Sequence, residues 1–217
     1  MAGLRERKKL RTRRALIEAA LRLFEEKGYD ETTLAEIAAE AEVSTRTFFS
    51  YFASKEDVVF YDGQDRLERA VSLLATRGPG ESPTELLLRV VNESLTWAIE
   101  DQGLTFEDAT LRTRLVLTQP ALQARALHLL FDSQLRLAKA LREAFPDRLD
   151  TVEAAAAVGS VFGSVKLAVI ANQGNDRSLD QMWDTARRAA ELALAGLRSL
   201  DEKAGFRVRA DPPGMAS

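Results

Sequence analysis

The stretch VSTRTFFSYFASKED, from Val43 to Asp57, combines side chains that could bind phosphate with a run of aromatic rings. Four aromatic residues fall within five positions and four hydroxyl groups surround them: Phe48, Phe49, Tyr51 and Phe52, with Ser44, Thr45, Thr47 and Ser50. Arg46 and Lys55 add two cations. Hydroxyl and cationic groups hold nucleic-acid phosphates, and an arginine fork matches the edge of guanine. The stretch is therefore either a polar piece of core or a binding surface with an aromatic floor.

Residue types that build catalytic and metal sites are scarce in the chain. It has no cysteine, which excludes disulfides, thiolate metal ligands and cysteine nucleophiles, and its one histidine, His128, is too few for a histidine-built metal site. No nucleophile–base pair, metal-binding cluster or phosphate-binding loop can be recognised in the sequence. We therefore expect no cofactor and no enzymatic activity.

Positive charge is concentrated at the amino terminus, in MAGLRERKKLRTRR. Residues 1–14 hold seven basic residues and one acid, so this segment has a net charge of +6 in a chain of −3, which leaves −9 for the remainder. A basic arm on an acidic body is typical of a segment that binds phosphate, and Arg11 and Arg13 are candidates for that contact. The alternative is a solvated, disordered tail.

Helical periodicity covers almost all of the 217 residues, and no run of alternating β-branched residues competes with it. Apolar spacing and capping residues predict nine helices, at about 12–27, 33–41, 45–51, 54–76, 84–101, 104–117, 120–145, 151–172 and 179–199. The first three are short and close together. We therefore predict an all-α chain with a small N-terminal domain at 1–53, a larger helical domain at 54–200 and a disordered tail at 201–217.

Two short predicted helices, 33–41 and 45–51, are separated only by the residues EVS. Thr33 and Glu36 have the spacing of a capping box at the start of the first helix, and Ser44 is the predicted N-cap of the second. These dimensions are typical of a helix-turn-helix, in which the second helix enters the major groove of DNA. An ordinary helical hairpin inside a bundle is the alternative.

The segment ALIEAALRLFEEKGYDETTLAEIAAEAEVSTRTFFSYFASKEDVV resembles, over nearly its full length, the DNA-binding domain of the tetracycline-repressor (TetR) family of transcription regulators. The matching positions are Phe24, Gly28, Tyr29, Thr32, Thr33, Ile37, Ala38, Val43, Ser44, the block from Thr47 to Phe52, Ser54 and Lys55. So many positions in a fixed register are far more specific than a single short motif. The resemblance implies a helix-turn-helix DNA-binding domain followed by a helical domain that binds an effector.

The resemblance implies a role for each matching residue of the N-terminal domain. Thr33 would bind a phosphate at the amino end of its helix, where the helix dipole favours an anion. Ser44, Thr45 and Arg46 would lie against base edges, with Arg46 as the candidate reader of guanine. The residues expected to hold the flanking DNA backbone are Thr47, Ser50, Tyr51 and Lys55. A cation in the first turn of a helix opposes the dipole, so an external phosphate explains Lys55 better than local stability does.

Two positions depart from the family pattern. The family usually has tyrosine where Phe49 stands, so a phenolic phosphate contact is absent and we expect Phe49 to act only through packing. The family often has glycine in the turn where this chain has Glu42, and a left-handed Glu42 would cost about 1 kcal/mol relative to glycine. Both departures weaken the transfer of the family's contacts at these positions.

The last two predicted helices have a composition that suits the dimer interface implied by the resemblance. The runs TVEAAAAVGSVFGSVKLAVIANQ and ARRAAELALAGL are rich in small residues, which let helix backbones approach closely. Paired across a two-fold axis, the two helices of each subunit would form a four-helix interface. Close packing within one chain is the alternative.

The candidates for an effector site are aromatic and polar residues of the later helices: Trp97, Phe106, Arg112, His128, Phe131 and Lys166. Lys166 stands in the apolar run VFGSVKLAVIA, where it could reach solvent, pair with an acid or face an anionic ligand. The run LRTRLVLTQPALQAR resembles, more loosely, a subgroup of the family that binds acyl-CoA-like ligands and is related to mycofactocin-type regulators. The resemblance suggests a small amphipathic or apolar, acyl-CoA-like effector.

These observations together predict a homodimeric, ligand-responsive DNA-binding regulator, in this family usually a repressor, that an effector releases from a palindromic operator. A helical adaptor without specific DNA binding is the alternative. No apolar run reaches the roughly 18 residues of a membrane span, and the N-terminus lacks the apolar stretch of a signal peptide, so we expect a cytoplasmic protein.

Overall fold

The computed structural model describes residues 2–100, 105–175 and 178–197. In these ranges ten α-helices are present and no β-strand, which confirms the all-α prediction. The helices are α1 Ala2–Glu26, α2 Leu34–Glu40, α3 Thr45–Phe48, α4 Lys55–Val59, α5 Gly63–Leu74, α6 Pro83–Glu100, α7 Phe106–Thr118, α8 Pro120–Ala144, α9 Thr151–Asn172 and α10 Leu179–Leu197. We call α1–α4 the head and α5–α10 the body. The predicted tail at 201–217 lies outside the described residues.

Two clusters of buried apolar side chains hold these helices together. The head cluster combines residues of α1–α4 with Tyr61 and with Leu111, Leu115 and Leu122, which belong to α7 and α8. The body cluster is formed mainly by α5, α6, α8, α9 and α10. The head is therefore held to the body where α7 and the start of α8 pack against it. The domain boundary at residue 53 stays a prediction.

The basic segment at the amino terminus is helical rather than an extended arm. α1 begins at Ala2 and not near Thr12, so its 25 residues form a rod of about 37 Å. Arginine, lysine and leucine are good helix formers, and no proline interrupts them before Glu26. Lys8, Lys9 and Arg11 are exposed along this rod.

The predicted helix at 54–76 is broken, which is why the structure has ten helices and not nine. α4 ends at Val59 and α5 begins at Gly63. The reason is a long-range contact: the Arg112 side chain donates from Nε to the Val59 carbonyl at 2.8 Å and from Nη2 to Asp62 Oδ1 at 2.6 Å. Helical periodicity within 54–76 carries no information about a partner in α7.

Asp62 at this break is a buried carboxylate, with only 3% of its side chain exposed. Arg66 supplies a second cation at 3.3 Å. Burial alone would raise the pKa of Asp62, but the charges of Arg112 and Arg66 outweigh it and lower the pKa from 3.8 to about 2. The carboxylate is therefore ionised in the folded protein at neutral pH.

The turn between α2 and α3 contains a left-handed residue that is not glycine. The N–H groups of Glu42 and Val43 donate to the carbonyls of Ala39 and Ala38 at 3.0 and 2.9 Å, which is the hydrogen-bond pattern of a Schellman motif. Glu42 occupies the position that glycine usually takes and has φ of 54°. The left-handed conformation considered for Glu42 is confirmed.

α9 is apolar on all sides and poorly covered by the rest of the chain. It is the helix among the described residues that is long and apolar enough to cross a membrane, by length and composition alone, with a mean hydropathy of 1.8. Ala157, Val158 and Val161 face the body cluster, whereas Val152 and Leu167 are 75% and 67% exposed. Leu192 of α10 is 68% exposed. The two last helices thus present an uncovered apolar surface.

Replacing Glu42 by glycine should raise the free energy of unfolding by about 1 kcal/mol, because glycine adopts the left-handed conformation without strain. Chemical denaturation monitored by circular dichroism measures the change. Ala39→Gly is the matched control: it lies at an exposed position of α2 and should lower the same free energy by about 1 kcal/mol. A less stable Glu42→Gly variant would show that this turn is unstrained.

Replacing Asp62 by asparagine should lower the free energy of unfolding at neutral pH by roughly 2–3 kcal/mol, the energy equivalent of the lowered pKa. Because the folded pKa lies below 3.8, the stabilisation is complete above that value and is lost as the pH falls through about 2. The difference between wild type and variant should therefore shrink with acidification below pH 3.8.

Denaturation curves at neutral and acid pH test this dependence. Asp65→Asn is the control, since Asp65 is 56% exposed and 4.0 Å from Arg13, and should change stability by less than about 1 kcal/mol. A difference between wild type and Asp62→Asn that does not vary with pH would contradict the assignment.

Candidate nucleic-acid interface

α3, the predicted recognition helix, is a single helical turn, and hydrogen-bonded turns continue from it to Phe52. Ser44 is the N-cap of α3, and its Oγ accepts from the Thr47 N–H at 3.1 Å, which confirms the predicted cap. Regular helix ends at Phe48 rather than Tyr51, and the Tyr51 and Phe52 N–H groups donate to the Phe48 carbonyl at 2.9 and 3.0 Å. Helix 45–51 is thus shorter than predicted, although its turns continue.

Two phenylalanines attach this element to the head. Phe48 is fully buried and Phe52 is 5% exposed, with their ring centroids 5.8 Å apart. Phe49 instead packs edge to face with Phe48, with their ring centroids 5.7 Å apart, and is 55% exposed. Packing alone therefore does not account for Phe49, contrary to the expectation from the sequence. Its ring lies on the outer surface beside the polar residues of α3.

The polar residues of the stretch face outward as a group. Ser44, Thr45, Arg46 and Ser50 are exposed, and Thr47 and Tyr51 are half-buried. The Ser50 hydroxyl donates to the Arg46 carbonyl at 3.2 Å, and the hydroxyls of Ser44 and Thr47 are 2.9 Å apart. Among the described residues, the Arg46 guanidinium has no hydrogen-bond or ion-pair partner. It is the cation of this element that is available to an external acceptor.

Thr33 begins α2 in a capping box, as predicted, and its polar groups are already engaged. Its hydroxyl and its N–H donate to Glu36 Oε2 at 2.7 and 2.9 Å. Lys27 forms an ion pair with the same carboxylate. The hydrogen bond from Lys27 and those from Thr33 lower the pKa of Glu36 to about 2. A phosphate at this helix end would have to compete with Glu36.

Lys55 has hydrogen-bond partners within the head that the sequence did not reveal. Its Nζ donates to the carbonyls of Tyr29 at 2.7 Å and Thr32 at 3.3 Å, and it lies 4.2 Å from the centre of the Tyr29 ring. These contacts compensate a cation that opposes the helix dipole. The argument that an external phosphate explains Lys55 better than local stability does was therefore wrong, because the turn before α2 supplies acceptors.

Arg13 points into the protein, contrary to its predicted role in binding phosphate. Its guanidinium donates to the Tyr61 carbonyl and lies 5.7 and 5.8 Å from the centres of the Phe52 and Tyr61 rings. Helical phase explains the difference, since one side of α1 packs against α4 and the other is exposed. Arg11 lies on the exposed side.

Arg112 is not free to bind an effector. Its side chain is 16% exposed, is bonded to Val59 and Asp62, and lies over the Tyr61 ring at 4.6 Å. The prediction that it lines an effector site was wrong, because every part of its guanidinium serves the contact between head and body.

Asp62 and Tyr61 were missed by the sequence analysis, although Asp62–Gly63 is a turn dipeptide inside the predicted helix.

The other predicted effector-site residues lie on several parts of the body. Trp97 lines an open groove of about 440 Å³ together with residues of α5 from Asp65 to Leu73 and with Thr76, which follows that helix. Phe106 is half-buried, while His128 and Phe131 are exposed on α8. Lys166 is exposed too, yet surrounding protein atoms exclude enough water to lower its pKa, and Arg66 lowers it further. In the described part of the chain no group of histidine and acidic residues could hold a metal ion.

Comparison with known proteins identifies the helix-turn-helix segment. Residues 16–61 match the model of the family described as bacterial regulatory proteins, tetR family. The chain is 38% identical over 140 residues to the HTH-type transcriptional regulator TcmR of Streptomyces glaucescens, which covers 63% of this chain and 62% of TcmR. It is 48% identical over 48 residues to the HTH-type transcriptional regulator HbdR of an Aromatoleum species, which covers 22% of this chain and 21% of HbdR. The chain thus spans less than two thirds of these relatives.

Solved structures share the fold over most of the chain. The fatty acid degradation regulator FadR from Bacillus halodurans superposes with a TM-score of 0.56 at 25% identity, covering 86% of this chain and 96% of FadR. FadR from Bacillus subtilis, solved in complex with stearoyl-CoA, gives a TM-score of 0.58 at 22% identity and covers 84% and 97%. The match therefore includes the body as well as the head. Residues 16–61 thus match the tetR family of bacterial regulatory proteins, and the solved structures show that the fold of these regulators extends over the body as well.

Proposed function

We propose that the protein is a homodimeric transcriptional regulator that binds a palindromic operator and responds to a small effector. The observation that carries this proposal is the outward face of α3, where Arg46 has no partner among the described residues and exposed hydroxyl groups surround it. Repression is the mode we propose. The protein would work in the cytoplasm, where its operator is located.

The DNA contacts divide into reading and positioning. Arg46 reads a base edge from the start of the recognition helix, with Ser44 and Thr45 beside it. Thr47, Ser50 and Tyr51 position the helix on the backbone. The exposed cations of α1, among them Arg11, add phosphate contacts that depend on salt. Lys55 and Thr33 act mainly by holding the head in shape.

The proposed dimer forms through α9 and α10. Their uncovered apolar surface includes Val152, Leu167 and Leu192, which are among the most exposed large hydrophobic residues described. Small residues beside them allow helices of two subunits to pack closely, and a subunit interface removes this surface from water. Close packing within one chain does not account for side chains that the chain leaves uncovered.

The proposed effector is small and amphipathic, of acyl-CoA-like chemistry. Two FadR structures with the same fold contain lauroyl-CoA and stearoyl-CoA, respectively. In this chain Leu127, Phe131 and Leu135 form an exposed apolar stripe on α8, with His128 beside it. Trp97, Phe106 and Lys166 remain candidates for contact with the ligand.

Replacing Arg46 by alanine should weaken operator binding by roughly 1–3 kcal/mol and relax the preference at one or two bases, because a bidentate base contact is lost. Selection of bound sequences from a random DNA pool, followed by titration of the selected operator, measures both effects. Arg142→Ala is the control, since Arg142 is exposed on α8 in the body and should not matter.

Two outcomes would count against this role. An equal loss of affinity for every sequence would make Arg46 a phosphate contact instead of a reader. Failure of the wild-type protein to enrich any sequence would favour a helical adaptor, a function that the internal engagement of Arg13, Lys55 and Thr33 also suits.

Leu167→Glu should convert the dimer to monomers at micromolar concentration, because it places a charge in the proposed apolar interface. Light scattering measures the mass in solution, and circular dichroism shows whether the helices remain. Leu10→Glu is the control, since Leu10 is 59% exposed on α1 and lies outside the interface. A wild-type monomer under these conditions would exclude the proposed interface.

A further inference from the structure

The break between α4 and α5 is held by a side chain of another helix. In a continuous helix the Val59 carbonyl would accept from the Gly63 N–H. Here the Gly63 N–H donates to the Phe60 carbonyl at 3.1 Å, and the Val59 carbonyl accepts from Arg112 Nε at 2.8 Å. Arg112 thus replaces the backbone hydrogen bond that the break removes.

The same arginine also binds the residue at which α5 begins. Asp62 is the N-cap of α5, but its side chain makes no capping hydrogen bond. Its carboxylate instead accepts from Arg112 Nη2 at 2.6 Å, with Arg66 at 3.3 Å. A buried carboxylate without its main partner would be strongly unfavourable. Removal of Arg112 would therefore destabilise the broken conformation in two ways: the Val59 carbonyl loses its donor, and the Asp62 carboxylate loses its main cation.

The break is connected to the recognition helix by direct contacts. The Tyr61 ring is 4.6 Å from the guanidinium of Arg112 and 5.8 Å from that of Arg13. Arg13 also donates to the Tyr61 carbonyl and lies 5.7 Å from the centre of the Phe52 ring. Phe52 packs on Phe48, the buried residue of α3.

The other end of this chain of contacts lies in the body. The Thr110 carbonyl, two positions before Arg112 on α7, accepts from the Gln173 side chain at 3.0 Å. Gln173 is the C-cap of α9. α7 is thus bonded to the end of α9 at Thr110 and to the break at Arg112.

The local sequence carries signals for both conformations. The apolar spacing from Ser54 to Thr76 is that of one continuous helix, whereas the dipeptide Asp62–Gly63 favours a turn, so tertiary contacts help to select the break. The structure holds the bent arrangement with Arg112 in place, and a straight segment is the arrangement that loss of Arg112 would favour. Straightening at residues 60–62 would rotate the head against the body, since the helices on either side belong to different clusters.

We propose that Arg112 is a positioning residue for DNA binding: it holds the α4–α5 segment bent and thereby sets the orientation of the recognition helix relative to the body. The proposal rests on the DNA-binding function proposed above. An event in the body that moves α7 would release the bend through this one side chain. The α4–α5 segment would then have two states, bent and straight, and contacts with the head and with the body would both shift the equilibrium between them.

The distance between head and body tests the proposal without DNA. Because the chain has no cysteine, Ala39→Cys in α2 and Arg142→Cys in α8 introduce two exposed sites for nitroxide labels. Labelled protein diluted with unlabelled protein gives the distance within one chain by pulsed electron resonance. Wild type should give one narrow distribution, and Arg112→Gln a second population displaced by several ångströms.

Three further variants separate positioning from stability. Arg112→Lys keeps a cation near Asp62 but cannot also bond the Val59 carbonyl, so it should give an intermediate distribution and carries the test if Arg112→Gln does not fold. Asp62→Asn should shift the distribution in the same direction as Arg112→Gln. Arg114→Gln, an exposed arginine on the same helix, should leave it unchanged. Folded Arg112 variants with the wild-type distribution but a lower melting temperature would overturn the proposal and make Arg112 merely stabilising.

DNA titration distinguishes this inference from the proposed function. Wild-type protein that selects no operator contradicts the function, whatever the distances are. If wild type does bind, Arg112→Lys should weaken binding roughly 5- to 150-fold, the usual range of coupling between sites, while the selected bases stay the same. An operator affinity equal to that of wild type, at a shifted distance, would show that head orientation does not control binding and would overturn the proposal.

Discussion

The buried pair of Asp62 and Arg112 is the interaction on which the relation between head and body depends. A carboxylate that is only 3% exposed is tolerated because two arginines lie beside it and because one of them also bonds a backbone carbonyl. The pair sits where the head cluster and the body cluster meet. Apolar packing holds the two parts together, and the proposed role of this polar contact is to set the angle at which they meet, since hydrogen bonds are directional.

The head uses its polar groups in two different ways. Lys55, Arg13 and the Thr33–Glu36 capping box satisfy groups of the head itself and keep its short helices in register. Short helices are unstable alone, so α2 and α3 need such contacts as much as they need the buried Phe48. The outward face of α3 is then left with Arg46 and exposed hydroxyls. The supporting contacts are what present this face in a fixed geometry.

The body leaves part of its apolar surface exposed to solvent. Its core is well buried around α5, α6 and α10, but α9 and part of α8 keep large hydrophobic side chains in solvent. Contiguous exposed apolar surface on a protein of this size usually marks a surface that another molecule covers. The proposed dimer covers exposed apolar residues of α9 and α10, and the proposed effector uses those of α8. Both proposals follow from the same observation, which is that large hydrophobic side chains of the body are exposed to solvent.

The sequence by itself determined the features that depend on near neighbours in the chain: the helical class, most helix ends, and the caps Thr33 and Ser44. Tertiary structure decided the break at residues 60–62 and the internal roles of Lys55, Arg13 and Arg112. Each of these depends on partners that lie 23 or more positions away, such as Thr32 for Lys55. Periodicity and capping report the local free energy of a helix, and a distant guanidinium or carbonyl changes that free energy only after the chain has folded.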